Sequence, residues 1–218
     1  AYEFMNNPRT VKINPKQRTA EKVEQELYHV ASTEKIALLI GILRQLGKVR
    51  AIVFVNTKKM GSVVARYLNA NECPASTLSG DVEQAKRQRL IEDFKKGKIN
   101  VVVATDVAAR GLHIPGVELI VNYDLPQNSE DYVHRIGRTA RAGENGSAIS
   151  FACEEYVFSL SEIEDFIGTK IPVSSVNEGL LKKLNEPPKR VIPSGNKKNK
   201  KPSSKKRVKR YTGNKKAD

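Results

Sequence analysis

From Thr33 to Ile167 the chain alternates between two hydrophobic periods. Ile36, Leu39, Ile40, Leu43 and Leu46 recur at three- and four-residue intervals and mark one face of a helix over 33–46, with Ser32 or Thr33 as its N-cap. Ala51–Val55 is then a continuous apolar run rich in β-branched residues, the pattern of a strand buried on both faces. Met60, Val63, Val64, Tyr67 and Leu68 form a second helical stripe over 58–70. A short strand at 76–79, a polar-faced helix at 83–96 capped by Asp81, and dry strands at 101–104 and 118–121 follow. A helix over 129–141, a strand over 148–152 and a helix over 154–167 complete the series. Short apolar strands alternating with helices predict an α/β fold: three layers, with a mostly parallel central sheet and helices on both faces.

Residues 1–30 fit this rhythm poorly. They read as a short stretch at Val11–Ile13, a polar linker and an edge strand over 26–30, as if the chain were a fragment opening on the end of another domain. The expected division is 1–25 as that end and its linker, 26–176 as the α/β domain, 177–188 as an extension and 189–218 as a tail.

The formal charge of +14 is unevenly placed. Residues 1–188 hold 25 basic and 23 acidic side chains, whereas 189–218 hold 13 and one. The tail lacks apolar periodicity and reads as disordered. It suits a solubilising segment, a non-specific electrostatic arm for nucleic acid, or a nuclear-localisation cluster at 197–210. The body is nearly neutral, so nucleic-acid binding there must rest on placed residues. No run approaches the roughly 20 apolar residues of a membrane span. Cys73 and Cys153 are too few for a disulfide framework or a four-ligand zinc site, which points to a reducing, cytoplasmic setting and to no metal ligands.

Ligands of open parallel sheets bind beyond the carboxyl ends of the strands. Here those ends carry Asn56-Thr57-Lys58, Ser79-Gly80-Asp81 with Gln84 and Arg87 one turn on, Thr105-Asp106 with Arg110-Gly111, and Asn122-Tyr123-Asp124. Hydroxyls, amides, bare backbone and guanidiniums are what phosphodiester oxygens accept from. Each is also an ordinary cap or turn; their recurrence after four strands is the signal. On an ideal helix through Tyr132–Arg141, Tyr132, Val133, Ile136 and Ala140 share one face, and His134, Arg138 and Arg141 the other. The second face suits a polyphosphate, or equally a solvated basic surface partnered by Glu130 and Asp131. There is no G-x-x-x-x-G-K-[ST] phosphate loop, so such a chain should complete a phosphate site begun on another domain.

These segments resemble the motifs of the C-terminal RecA-like domain of DEAD-box RNA helicases. Phe54-Val55-Asn56-Thr57 is similar to motif IV, and Ser79-Gly80-Asp81 with Gln84 and Arg87 to motif IVa. Ala104–Leu112 is similar to motif V and His134–Arg141 to motif VI. Within the family, Gly111–Pro115, Ala152–Tyr156 and the basic tail resemble the bacterial degradosome-associated RhlB type. The resemblance implies a RecA-like fold and ATP-dependent opening of short duplex RNA. It implies that Asn56, Thr57, Gly80, Gln84, Arg87 and Thr105 hold single-stranded RNA backbone. Arg138 and Arg141 would reach the γ-phosphate, with Arg141 as the finger. His134, Arg135, Arg110, Gly111 and His113 would serve the nucleotide and the domain interface. ATP and Mg²⁺ would be held mainly by an N-terminal RecA-like domain of the same protein, and an endoribonuclease scaffold of the RNA degradosome is an implied partner. Two positions depart from the family: His113 replaces an Asp expected at the ribose, and Ala140 replaces a Gly, its methyl expected on the apolar helix face.

Overall fold

A computed structural model of the protein describes residues 23–188, apart from 81–82, 112–113, 115, 141–145 and 182. Seven strands form one sheet: β1 (Val23–His29), β2 (Ala51–Phe54), β3 (Ala75–Leu78), β4 (Val101–Ala104), β5 (Leu119–Asn122), β6 (Gly146–Ala152) and β7 (Val173–Ser174). Their order is β3-β4-β2-β5-β6-β1-β7, and every pairing among the described residues is parallel. Six helices accompany them: α1 (Lys35–Leu46), α2 (Lys58–Ala70), α3 (Gln84–Lys95), α4 (Asp106–Ala109), α5 (Ser129–Ile136) and α6 (Leu160–Ile167).

Strand pleating divides the core in two. Ile52, Phe54, Val102, Ala104, Ile120 and Ala148 point to the layer of α3, α4, α5 and α6. Ala51, Val53, Val101, Val103, Val121 and Ile149 point to the layer of α1 and α2. Every residue of β2, β4 and β5 is buried, as central strands covered on both faces require. The chain leaves β2 for one layer, while after its neighbours β4 and β5 it leaves for the other. A crevice therefore opens at the carboxyl end of β2, the place where such sheets bind ligands.

Four expectations change. The edge strand over 26–30 is the interior strand β1, seven residues long and hydrogen-bonded between β6 and the two-residue β7. Helix α1 has no side-chain N-cap, because Ser32 is engaged elsewhere: its N–H and hydroxyl both donate to the Glu154 carboxylate, the hydroxyl at 2.6 Å. That hydroxyl bond lowers the Glu154 pKa. The helix expected from 154 starts at Leu160, after a 3₁₀ turn at Val157–Ser159.

The fourth change concerns motif VI. Helix α5 ends at Ile136 and not at residue 141. Gly137 caps it, and the next turn tightens, with Arg138 N–H donating to Arg135 O and Thr139 N–H to Ile136 O. The cause is tertiary. The buried Thr139 hydroxyl donates to Val117 O at 2.8 Å and packs against Gly146, where any Cβ would overlap it. Ala140 consequently adopts φ +52°, in the left-handed region. Its methyl does pack on the apolar cluster, as expected, but from a turn whose backbone favours glycine. The expected cap Asp81, the residues before Val23 and the tail lie outside the described residues.

Beyond β7, the segment to Pro188 lies along α1 and α2. Leu180 is buried in their layer, Asn71 and Asn185 exchange amide–backbone bonds at 2.9 and 3.0 Å, and Arg66 donates to Pro188 O at 2.6 Å. Gly41 of α1 meets the Leu180 main chain with no room for a Cβ.

Gly41→Ala is therefore expected to lower stability by about 1–3 kcal/mol, the scale of overpacking against backbone that cannot move aside, read as a lower urea midpoint with an unchanged slope. Thr139→Val keeps the shape but strands the Val117 carbonyl; it is expected to cost about 1–3 kcal/mol in the same measurement, the penalty of an unsatisfied buried acceptor.

Candidate nucleic-acid and nucleotide interface

The site is organised by Arg135, on the last turn of α5 and 1% exposed. A buried guanidinium is tolerable only when paired and hydrogen-bonded throughout. Here Nε and Nη2 fork onto the two carboxylate oxygens of Asp106, at 2.8 and 2.7 Å. Nη1 donates to Asp124 O at 2.6 Å and to Asn122 Oδ1 at 3.3 Å. Nη2 donates also to Asn56 Oδ1 at 3.1 Å. All five N–H donors have acceptors, and the group stacks 5.1 Å from the Phe54 ring centroid. One side chain thus gathers the residues after β2, β4 and β5.

Asn56 and Asp124 extend this centre. The Asn56 N–H donates to Asp124 Oδ2 and its Nδ2 to Leu125 O, both at 2.9 Å. Both ends of the Asn56 amide are therefore engaged within the fold. The other Asp124 oxygen meets the buried Lys35 ammonium at 2.5 Å. Asn122 Nδ2 donates to Ser150 Oγ at 3.1 Å.

Around this centre the expected residues fall in two sectors. The first is the carboxyl edge. Thr57 is exposed at the start of α2, where its hydroxyl caps Met60 N–H at 3.1 Å. Thr105, partly exposed, precedes α4 without a side-chain cap bond. With Lys58, Ser62, Thr77 and Ser79 it lines a cavity of 170 Å³ at the ends of β2, β3 and β4. Gly80 is exposed, and a Cβ there would meet only Val107 Cγ1 at 3.9 Å. Gln84 is exposed on the first turn of α3. Arg87, one turn on, has a buried Nε with no hydrogen-bond partner, the sole such side-chain atom among the described residues.

The second sector is a flank. Past the end of α5 the chain turns so that the Thr139 hydroxyl reaches Val117, just before β5. A shallow depression gathers Asp106, Arg110, Asp131, His134, Arg135 and Arg138. Asp131 lies between two of them: Arg110 Nη2 is 2.7 Å and His134 Nδ1 3.9 Å from its Oδ1. That hydrogen bond raises the Arg110 pKa. Gly111, at φ +71°, turns the chain beside it. His113 and Arg141 lie outside the described residues. Helical spacing alone did not assemble this group, since the helix ends before Arg138; α4 supplies Arg110 and the tight turn supplies Arg138.

The sequence reading overlooked Lys35. An isolated lysine on the first turn of an amphipathic helix carries no signal, because its partner is 89 residues away. It also missed Asp106 and Asn122 as acceptors for Arg135.

Comparison with known proteins shows the family. The family described as "Helicase conserved C-terminal domain" matches residues 34–143. The chain is 50% identical over 192 residues to the ATP-dependent RNA helicase RhlB of Xanthomonas campestris pv. campestris (strain B100), covering 88% of this chain and 34% of that protein. It is 52% identical over 188 residues to RhlB of Idiomarina loihiensis, covering 86% and 44%. It thus spans between a third and a half of the length of these curated relatives. Among solved structures, E. coli DEAD-box protein SrmB bound to RraA, a regulator of ribonuclease activity, is 37% identical with a TM-score of 0.70, covering 76% of this chain and 98% of that one. Dbp5 of S. cerevisiae bound to RNA and ADP BeF3 is 34% identical with a TM-score of 0.68, covering 78% and 46%. A parallel sheet whose strand ends are drawn together by a motif VI arginine, with these sequence and structural relatives, places the chain in the helicase conserved C-terminal domain family, as a RecA-like domain of the DEAD-box kind.

Proposed function

We propose that the chain is the C-terminal half of an ATP-dependent DEAD-box RNA helicase of RhlB type, acting in RNA turnover in the cytoplasm. The observation that carries this reading is the Arg135 centre, which joins the two sectors through one buried cation. On the carboxyl edge, Thr57, Gly80, Gln84, Arg87 and Thr105 hold the backbone of single-stranded RNA, and Asn56, its amide engaged within the fold, shapes the edge beside them. Hydroxyls, main-chain groups and a guanidinium are donors without base preference, so binding is largely independent of sequence. The Arg87 Nε is buried and unpartnered, so its guanidinium must turn outward to meet such a strand. Closure on RNA against the first domain bends the strand and opens a short duplex locally.

The flank faces the nucleotide. Arg110, His134 and Arg138 beside Asp131, with Asp106 already paired to Arg135, make a surface that fits polyphosphate oxygens. Mg²⁺ with ATP would be carried mainly by the N-terminal RecA-like domain. In transfer of the γ-phosphoryl group to water, charge would be redistributed over its oxygens and the leaving oxygen. Arg138 and Arg141 neutralise that charge, Arg141 as the finger. Arg110 and His134, tied through Asp131, and Gly111 and His113 set the domain interface and the ribose contact.

A second reading is a docking module for an endoribonuclease scaffold of the RNA degradosome. It is favoured by the solved complex of the SrmB neighbour with a regulator of ribonuclease activity. The two readings are compatible. No described helix is long and apolar enough to cross a membrane.

ATP turnover with single-stranded RNA tests the first reading. The chain alone is expected to be silent, and the chain joined to a first RecA-like domain active; activity of the chain alone would refute the split site. In the joined protein, Arg141→Ala is expected to cut turnover about 10³-fold, the scale of arginine-finger losses; near-normal turnover would remove Arg141 from that role. Deleting residues 189–218 is expected to flatten the dependence of log K for RNA on log salt, by about 0.7 for each phosphate contact the tail makes. An unchanged slope would place those contacts in the body.

A further inference from the structure

We infer that Lys35, outside every helicase motif, is the positioning residue that holds the RNA edge and the arginine flank in register. It acts through Asp124. This rests on the function proposed above, and it assigns the coupling to a residue and an ion pair.

The geometry is a line of polar contacts across the carboxyl edge. Lys35 follows β1 and Asp124 follows β5, with β6 between these strands. The Lys35 ammonium crosses β6 to meet Asp124 Oδ1 at 2.5 Å. Asp124 passes the contact on twice: Oδ2 accepts the Asn56 N–H at 2.9 Å, and its carbonyl accepts Arg135 Nη1 at 2.6 Å. Arg135 then forks onto Asp106, after β4. From β1 to β4 the line crosses four strand spacings, about 19 Å at the usual separation near 4.8 Å.

Lys35 is fixed tightly enough for this role. Its ammonium has Cys153 Sγ at 3.7 Å and the Tyr123 and Tyr156 rings at 4.3 and 5.3 Å. Both partners are nearly closed off, with side chains 3% and 4% exposed. Removing one member of such a pair leaves an uncompensated charge away from water. An Asp124 carboxylate without Lys35 has Arg135 beside it, already bonded to its own carbonyl. Turning toward that guanidinium releases the Asn56 N–H and competes with Asp106. Lys35 therefore decides which carboxylate Arg135 takes and keeps Asn56 in place.

The test uses the full chain with Lys35→Met and with the double variant Lys35→Met, Asp124→Asn, in which a neutral acceptor faces a neutral side chain. Hydrogen exchange by NMR is followed at the Asn56 amide and at Arg135 Nε–H, with the β3 amides (Ala75–Leu78) as reference. Lys35→Met is expected to speed exchange at Asn56 and Arg135 at least tenfold while β3 changes less than twofold, and the double variant to restore both. Uniform acceleration including β3, as Gly41→Ala would give at matched stability, or no change at Asn56 and Arg135, overturns the inference. If Lys35→Met does not fold, Asp124→Asn alone is read by the same criteria. Binding of a fluorescein-labelled single-stranded oligouridylate separates this from the RNA reading. Lys35→Met and Gln84→Ala should each weaken it at least fivefold. Loss with Gln84→Ala but not with Lys35→Met overturns the coupling. No loss with either refutes the RNA reading, and the exchange result then decides the positioning role alone.

Discussion

The burial of one guanidinium constrains everything around it. Arg135 is 1% exposed and has five donors in a rigid plane, so five acceptors must converge within hydrogen-bond range or the domain carries a large desolvation penalty. Those acceptors come from the ends of β2, β4 and β5, three adjacent strands. The position of Asn56, the orientation of α4 and the entry of the loop after β5 are therefore solutions to a single satisfaction problem. The charge balances as well, since Asp106 is paired bidentately and Asp124 is left to Lys35. Arg110, His134 and the half-buried Arg138 sit on this base. They lie on a flank that is held still from beneath, as the phosphate-binding role proposed for it requires.

Much of the scaffold was legible in the chain. The runs Ala51–Val55 and Val101–Ala104 can only be strands covered on both sides, and the three- and four-residue spacing through Leu39, Leu43 and Leu46 can only be a helix packed on them. The convergence of Asn56, Thr105 and Asp124 followed from parallel topology alone. Reading failed where a distant atom overrides a local pattern. Apolar periodicity in motif VI continues through Ala140, but the Thr139 hydroxyl is drawn to Val117 and the chain leaves the helix at Ile136. Ser32 has a good N-cap side chain, but Glu154, 122 residues away, takes it. The Lys35–Asp124 pair is of the same kind. Local propensity cannot report a contact made by the sheet as a whole.

The division of labour within the sheet is also a division of polarity. The central strands carry no charge and little polarity. Their buried polar side chains, Asn122 and Ser150, are bonded to each other beneath the guanidinium. Charged side chains lie instead on β1, the helices, the strand ends and the tail. A nearly neutral body with placed cations gives orientation, while a tail with 13 basic residues and one acid gives only attraction.

The interior position of β1 has a mechanical meaning. Its seven residues are paired in parallel along their whole length with β6, from Val23 to His29. A pull on the chain at Val23, directed along the strand, loads those hydrogen bonds in shear, all together, instead of unzipping them one at a time. The same pull is borne at the far end of the strand, where Ser32 is tied to Glu154 and Lys35 to Asp124. Tension entering the domain there arrives at the polar line on the carboxyl edge without first peeling the sheet. A domain attached through such a strand can transmit displacement as a stiff body, where one hung from a frayed edge would absorb it.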